Sequence, residues 1–353
     1  MNLILTFDYE LFGDGSGDVF THVIEPTNRI LSICDEYRIK CTFFFEVMEY
    51  IKLKEEWDRG NKMGYSTSPV EAIKNQLENI ALMGNDIQLH VHPQWFNARY
   101  INSKWDLDFN NWRLGDFYSG CSYSINNLLC DVKGELEKLV TQVLPEYRCK
   151  ALRAGGYNIF PSENVYTAMK ELGMKIDSSV YPGGFEEGPL SRFDYRNVPV
   201  DLDYWWGDET DIRKASKINK EILEVPVFAL PVVRWRKYFN ISRIKSFLNN
   251  RNTKMSYVVK EKISKTTLTE KIKFLLQKEA FPWDVCMFSK SLHSHYFNYI
   301  EKNLLGSRNS FVLIGHPKSL QNEKYFKNFI EMAISRERLF KFITLNELHA
   351  EIT

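Results

Sequence analysis

Histidine and cysteine are both scarce in this chain, at seven and six among 353 residues. The cysteines (Cys34, Cys41, Cys121, Cys130, Cys149 and Cys286) are irregularly spaced, and no C-x-x-C pair occurs. That argues against a zinc ribbon and a thioredoxin-type redox site. Cys41 and Cys149 sit inside apolar runs and read as small core residues. An excess of one charge is missing too: the formal net charge is +1, so the molecule as a whole is not an obvious partner for nucleic acid. No run approaches the roughly 20 apolar residues of a membrane span. The opening stretch, MNLILTFDYELF, lacks a basic start and brings acids within ten positions. It reads as a first strand rather than an export signal, and a cytoplasmic, reduced setting is the simplest expectation. Internal repeats and low-complexity tracts are absent.

What is there suits a folded α/β protein. Hydrophobic residues make up 44% and charged residues 26%, enough to bury a sizeable core. Short β-rich runs alternate with amphipathic stretches. Strands are expected at 2–7, 40–47, 86–91, 149–156, 174–179, 222–230, 310–316 and 339–345, and helices at 25–38, 68–84 and 161–173, with an amphipathic stretch over 122–144. Ser68, Pro69, Glu71 and Gly84 supply start and stop signals for the helix between them. The alternation predicts a parallel sheet covered by helices, in an open or closed β/α barrel. In such folds chemistry gathers at the C-terminal ends of the strands. Asp8 and Glu10, His90 and His92, Arg153, Asp177 and His316 each follow a predicted strand.

Residues two apart in a strand share a face. His90 and His92, in LHVHPQW, can therefore address one cation, and Asp8 and Glu10, in TFDYELF, form a second such pair. Two imidazoles and a carboxylate are a common ligand set for catalytic zinc, and a neighbouring carboxylate can serve as general base. His316, in LIGHPKSL, ends an apolar strand where Pro317 turns the chain, which suits a proton donor. Arg153, in LRAGGYN, either orients a carboxylate or forms a structural ion pair, and the glycines beside it permit close backbone approach. Asp177 and the aromatic run DYWW at 203–206 are candidates for the pocket wall, and Trp205 and Trp206 read equally well as core. A second H-x-H, His293 and His295, has no strand context and shows that the pattern alone is common.

TFDYE, TFFFE, LHVHP, LRAGGY and LIGHP together resemble, in order and approximate spacing, the NodB-homology polysaccharide deacetylases, carbohydrate esterase family four. The resemblance is strongest to the branch found in lipopolysaccharide and O-antigen biosynthesis, and it spans nearly the whole chain. It implies a distorted (β/α) barrel of seven or eight strands in a single domain over 1–353. It also implies a divalent metal, with zinc expected, and hydrolysis of N-acetyl groups on a glycan or sugar precursor. Carried onto these residues, Glu10, His90 and His92 would hold the metal, Asp8 would be the base, His316 the acid and Arg153 the residue that orients the base. Two departures stand out. Tyr9 occupies the position of the family's second aspartate, so the carboxylate ligand is Glu10 or Asp8, and Gln94 stands four beyond His90 where a histidine is usual. A glycan-binding protein that has lost the reaction, or a hydrolase of a non-sugar amide, would also fit such departures.

One stretch differs in character. Residues 231–278 carry thirteen Lys and Arg against two Glu, an excess of +11 in a chain of +1. It is expected to be a basic insertion, at about 231–300. Two readings are open. One is a solvated helical surface with Phe239, Ile241, Ile244, Phe247 and Leu248 as its buried side. The other is a face that attracts an anionic acceptor, such as a lipid-linked glycan at the inner membrane, or anionic lipid itself. No nucleic-acid motif accompanies the charge.

Overall fold

A computed structural model describes residues 1–120, 123–218, 220–238, 268–320 and 322–353. Its frame is one curled, mostly parallel sheet. The strands of this sheet and of one separate ribbon (β8 and β9) are β1 (Asn2–Tyr9), β2 (Thr42–Glu46), β3 (Asp86–Val91), β4 (Ala151–Ala154), β5 (Ile176–Asp177), β6 (Trp205–Trp206), β7 (Leu223–Glu224), β8 (Ala229–Val233), β9 (Lys278–Pro282), β10 (Ser310–Gly315) and β11 (Lys341–Phe342). In space the sheet runs β6-β7-β5-β4-β3-β2-β1-β10, with β11 beside the first residues of β1. Within this sheet, among the described residues, only the β6–β7 pair is antiparallel. Every residue of β1, β2 and β3 is buried, as strands covered on both faces must be.

The sheet closes on itself. After β7 pairs with β5, Val227 forms a parallel bridge with Val312 of β10, and the Phe228 N–H donates to the Val312 carbonyl at 2.8 Å. Residues 223–228 thus link the two ends of the sheet, and the result is the distorted barrel that the sequence implied. A covering helix follows most strands: α1 (Glu25–Glu36), α2 (Val47–Asp58), α3 (Pro69–Leu82), α4 (Ile125–Val140) and α5 (Glu163–Glu171) in the first half of the chain. α3 starts as its sequence predicts, with the Ser68 hydroxyl accepting from the Glu71 N–H at 3.1 Å.

Differences from the sequence reading are local. The expected strand at 222–230 is split, because 229–233 leaves the sheet and pairs antiparallel with 278–282. Two short helices flank that ribbon, α6 (Arg234–Tyr238) and α7 (Leu268–Leu276). The expected buried positions Phe239, Ile241, Ile244, Phe247 and Leu248 lie outside the described residues. The segment after the ribbon belongs to the barrel's packing: Trp283, Phe288, Tyr296 and Phe297 are fully buried, the last two on α8 (Lys290–Asn303). α9 (Glu323–Ile334) follows β10. The expected last strand at 339–345 is only 341–342. Thr344 and Glu347 form a capping box that starts α10 (Leu345–Ile352), since a T-x-x-E sequence satisfies helix N–H groups from both ends of the box. Among the described residues no helix is long and apolar enough to cross a membrane.

Candidate metal and catalytic site

The C-terminal ends of β1, β2, β3, β4 and β10 converge, and they bring the candidate side chains together. Glu46 and His90 are register partners across β2 and β3, and His90 and Arg153 across β3 and β4. On the other flank Asp8 pairs with Phe44 and Tyr9 with Phe45, so Glu10, one residue further, comes level with Glu46. One row across the sheet therefore carries Glu10, Glu46, His90 and Arg153. Strand alternation turns Tyr9 to the opposite face, where its hydroxyl donates to Gln76 at 2.8 Å.

Glu10 is the hub. Its Oε2 lies 2.9 Å from His92 Nε2 and 3.5 Å from His90 Nε2. Its Oε1 lies 2.9 Å from Lys318 Nζ and 3.7 Å from His316 Nε2. Burial alone would raise this carboxyl, but Lys318, His92 and His90 outweigh it and hold Glu10 well below the ordinary range. The far nitrogens of both histidines are engaged: His90 Nδ1 is 2.8 Å from the Arg153 carbonyl, and His92 Nδ1 is 2.9 Å from the Gln94 amide. His90 Nδ1–H donates to that carbonyl and leaves the Nε2 lone pair toward the acids, as a metal ligand needs. At His92 it is the Gln94 amide nitrogen that faces Nδ1, and turning that amide by 180° would set its Oε1, unpartnered among the described residues, on Nδ1–H and free Nε2 in the same way. Gln94, at the family's histidine position, braces His92 in this way. Burial opposes a charged His90, yet Asp8, Glu10 and Glu46 raise it to about 9.

Asp8 and Arg153 form a buried pair, with Nη1 to Oδ1 at 2.6 Å. The same guanidinium donates to Thr6 Oγ1 at 2.9 Å, to the Ser178 carbonyl at 3.0 Å and to Ser178 Oγ at 3.1 Å, and it stacks on Phe44. This reconciles the two readings of Arg153, since a structural ion pair here also fixes the Asp8 carboxylate. Burial pushes Asp8 up, but Arg153, His90 and His316 bring it below its ordinary value. The other oxygen, Oδ2, faces His316 Nε2 at 3.6 Å and His90 Nε2 at 4.0 Å. His316 keeps about a quarter of its side chain exposed. Burial and the Lys318 charge lower its pKa against the pull of the acids.

Two candidates fall away. Asp177 is fully buried, accepts from the Ser179 hydroxyl at 2.7 Å and pairs in register with Glu224; it is part of the barrel wall's interior. Trp205 is likewise core, its indole N–H donating to the Ile212 carbonyl. The second H-x-H is on α8, where His293 accepts the Trp283 indole N–H at 3.0 Å inside the core.

Three residues gained a place that the sequence reading did not give them. Lys318 follows His316 by two positions and reaches back to Glu10 and the Leu11 carbonyl. Glu46 ends the strand TFFFE, and the same strand-end logic that picked Asp8 applies to it. Its Oε1 accepts the Met48 N–H at the start of α2, while its buried Oε2 has no hydrogen-bond partner among the described residues. Gly155 allows close approach, but of a side chain: a Cβ there would lie 2.4 Å from the His92 ring. The donor set fits a divalent cation. Glu10, Glu46, His90 and His92 each offer an atom within 4.8 Å of the others, and so do Asp8, Glu10 and His316.

A solved structure shares the frame of this parallel barrel, and others align over most of its length. A protein from Mycobacterium smegmatis named as a polysaccharide deacetylase aligns over 99% of this chain and 89% of its own, with TM-score 0.50 and 12% identity. One from Pseudomonas aeruginosa PAO1, similarly named, aligns over 98% and 88% with TM-score 0.49 and 11% identity. An allantoinase aligns over 98% and 88% with TM-score 0.48 and 11% identity. The sequence matches no family profile and no curated protein. The chain thus has the distorted-barrel fold of the NodB-type polysaccharide deacetylases.

Proposed function

We propose that the protein is a metal-dependent hydrolase that removes an N-acetyl group from a sugar of a bacterial surface glycan or its precursor. The supporting observation is the joint arrangement of Asp8 fixed by Arg153, His316 facing it, and Glu10, His90 and His92 with their Nε2 and carboxylate atoms converging. The choice of glycan rests on the likeness of the motif set to the O-antigen branch. Zinc is the ion that two imidazoles and a carboxylate suit best.

Bound by Glu10, His90 and His92, a divalent ion would supply Lewis acidity to the amide carbonyl and to water. Asp8, held ionised by Arg153, accepts the proton of the attacking water. Arg153 meanwhile fixes which carboxylate oxygen is free, because Oδ1 is taken and Oδ2 faces the site. His316, whose Nε2 faces Asp8 Oδ2 at 3.6 Å, takes up the proton that Asp8 has gained and hands it to the departing nitrogen. The amide C–N bond breaks, and water's oxygen ends in acetate with a free amino sugar beside it. The buried Trp112 packs edge-on against His92, at 6.2 Å between ring centroids, and backs that ring.

A second reading has one observation in its favour. The Lys318 ammonium balances Glu10 without any ion, as a glycan-binding protein that has lost the reaction would require. Acetate release from N-acetylated amino sugars, before and after chelation and metal return, separates the two. Release that chelation abolishes and metal restores supports the hydrolase. Ammonia release from a cyclic amide would move the substrate away from sugars. Glycan binding with neither product, and no metal retained, would sink the enzymatic reading.

A further inference from the structure

Two donor groups share Glu10, and electrostatics chooses between them. On the Oε1 side stand Asp8, His316 and Lys318, whose ammonium is 2.9 Å from Oε1. A dication placed there would meet a positive charge already in contact with its ligand, with His316 the nearer imidazole and His90 no closer than 4.0 Å to Asp8. Asp8 is also committed on that side, with Oδ1 bound to Arg153 at 2.6 Å. On the Oε2 side stand His90, His92 and Glu46, with no ammonium or guanidinium against Oε2. Glu46 Oε2 is buried there without a donor. An unsatisfied buried oxygen costs about 1–3 kcal/mol, more if charged, and neither the helix cap nor the barrel uses this atom, because Oε1 already caps α2.

We propose that Glu46 is a fourth protein ligand, so that the metal is held by Glu10, Glu46, His90 and His92, on the side of Glu10 away from His316. This rests on the metal-dependent reading above. Two carboxylates and two neutral imidazoles balance a divalent charge, while Arg153 balances Asp8 and the Lys318 ammonium remains beside Glu10 Oε1. Four protein ligands fill a tetrahedral shell. Substrate can then reach the ion only if it accepts a fifth or sixth ligand, and the open positions must face Asp8 and His316, the groups that would handle protons. The side chain that fills the coordination shell comes from the end of β2, a strand that supplies nothing in the three-ligand assignment.

The test uses Co2+ as probe on the full chain. In an anomalous-difference map of wild-type crystals soaked in Co2+, Glu46 Oε2 is expected within about 2.0–2.2 Å of the ion, the usual metal–carboxylate distance. A Co2+ ion bound through Asp8, Glu10 and His316, with Glu46 out of reach, overturns the proposal while leaving a metalloprotein. Chelator competition in solution gives a second readout. Glu46→Gln keeps an oxygen to cap Met48, so the fold should hold, as a melting curve will show. Its Co2+ affinity is expected to fall by more than about 100-fold, beyond the 10–100-fold typical of an outer neighbour, with His316→Ala unchanged. Equal affinity in Glu46→Gln and wild type overturns the proposal. A wild-type chain that takes up no Co2+ overturns both it and the metal-dependent reading.

Discussion

Asp8, His316 and Lys318 stand within 4 Å of a shared carboxylate or of one another, yet their removal should read out differently. Asp8→Asn keeps the size and one acceptor, and His316→Ala empties a partly exposed position. His316→Ala should leave melting behaviour near wild type, whereas Asp8→Asn, which takes the counter-charge from the buried Arg153, should stay folded but melt lower. Each should lower turnover by at least about 100-fold, the usual range for a lost acid or base. A variant with normal turnover would leave the mechanism without that residue. Lys318→Met should act on stability first. It strands the buried Glu10 carboxylate, and breaking a buried pair from one side costs about 3–5 kcal/mol. Melting of metal-free Lys318→Met should drop clearly, and saturating divalent ion should recover part of the loss by supplying the missing charge. A melting curve that ignores both changes would remove Lys318 from the site's charge balance. Lys318 was hard to read because a lysine in a turn is nearly always solvated. Glu46 was hard to read because a carboxylate before a helix is sufficiently explained as a cap, which it also is. Asp8, Glu10, His90 and His92 were legible because same-face pairs at two strand ends are a pattern that a single sequence carries.

Elements decide how firmly those atoms are held. The turn after β4 must carry glycine at 155, because any Cβ would strike the ring of His92. Gly155→Ala should therefore displace His92 while the barrel, buried elsewhere, stays folded. The expected result is metal uptake weakened by at least about 10-fold in a protein with near-native circular dichroism; unchanged uptake would show that the ring has room to move. The start of α2 holds a different constraint. Glu49 accepts the Leu11 N–H at 2.9 Å and ties the loop after β1 to that helix. Burial raises its carboxyl from 4.5 to about 8, although the Leu11 N–H pulls the other way. Over that interval the folded chain keeps a proton that the unfolded chain releases. This group's contribution is full below its unfolded value and is lost as pH rises through its folded value. Glu49→Gln should flatten the fall in melting temperature of the metal-free protein between about pH 5 and 8. An identical slope in variant and wild type would count against a protonated Glu49. Strand positions were readable from β-rich runs bounded by turns, down to the N-cap of α3. The split at 229 was not, since a continuous apolar run does not say which neighbour it pairs with. Asp177 illustrates the same limit: its partner Glu224 is 47 residues away, and only the register of β5 and β7 brings them together.

At the scale of the whole molecule, charge is segregated along the chain. Residues 231–278 hold an excess of +11 while the total is +1, so the remainder is close to −10. We propose that this stretch is an insertion, entered and left through the antiparallel ribbon of β8 and β9, and that it draws the protein to an anionic acceptor or membrane surface. The described flank has mixed character: Trp235, Ile272, Phe274 and Leu276 are exposed there among basic residues. Not every basic residue is free to serve. Arg234 is bound to Glu279 at 2.8 Å and to Gln277, and it stacks on Phe274, so changing it would disturb the ribbon. Arg236 and Lys273 are the better probes. A basic residue near an anionic bilayer contributes about 1 kcal/mol, and reversal replaces attraction with repulsion. Two reversals, Arg236→Glu with Lys273→Glu, should therefore weaken binding by roughly 4 kcal/mol, about 1,000-fold. Co-sedimentation with anionic and neutral vesicles, at low and physiological salt, measures this directly. Wild-type protein should pellet with anionic vesicles alone, less so as salt screens the charge, and the double variant should stay in solution. If wild type ignores both vesicles, or the double variant binds as well as wild type, the basic stretch is ordinary solvated surface and acceptor choice must come from the barrel's own mouth.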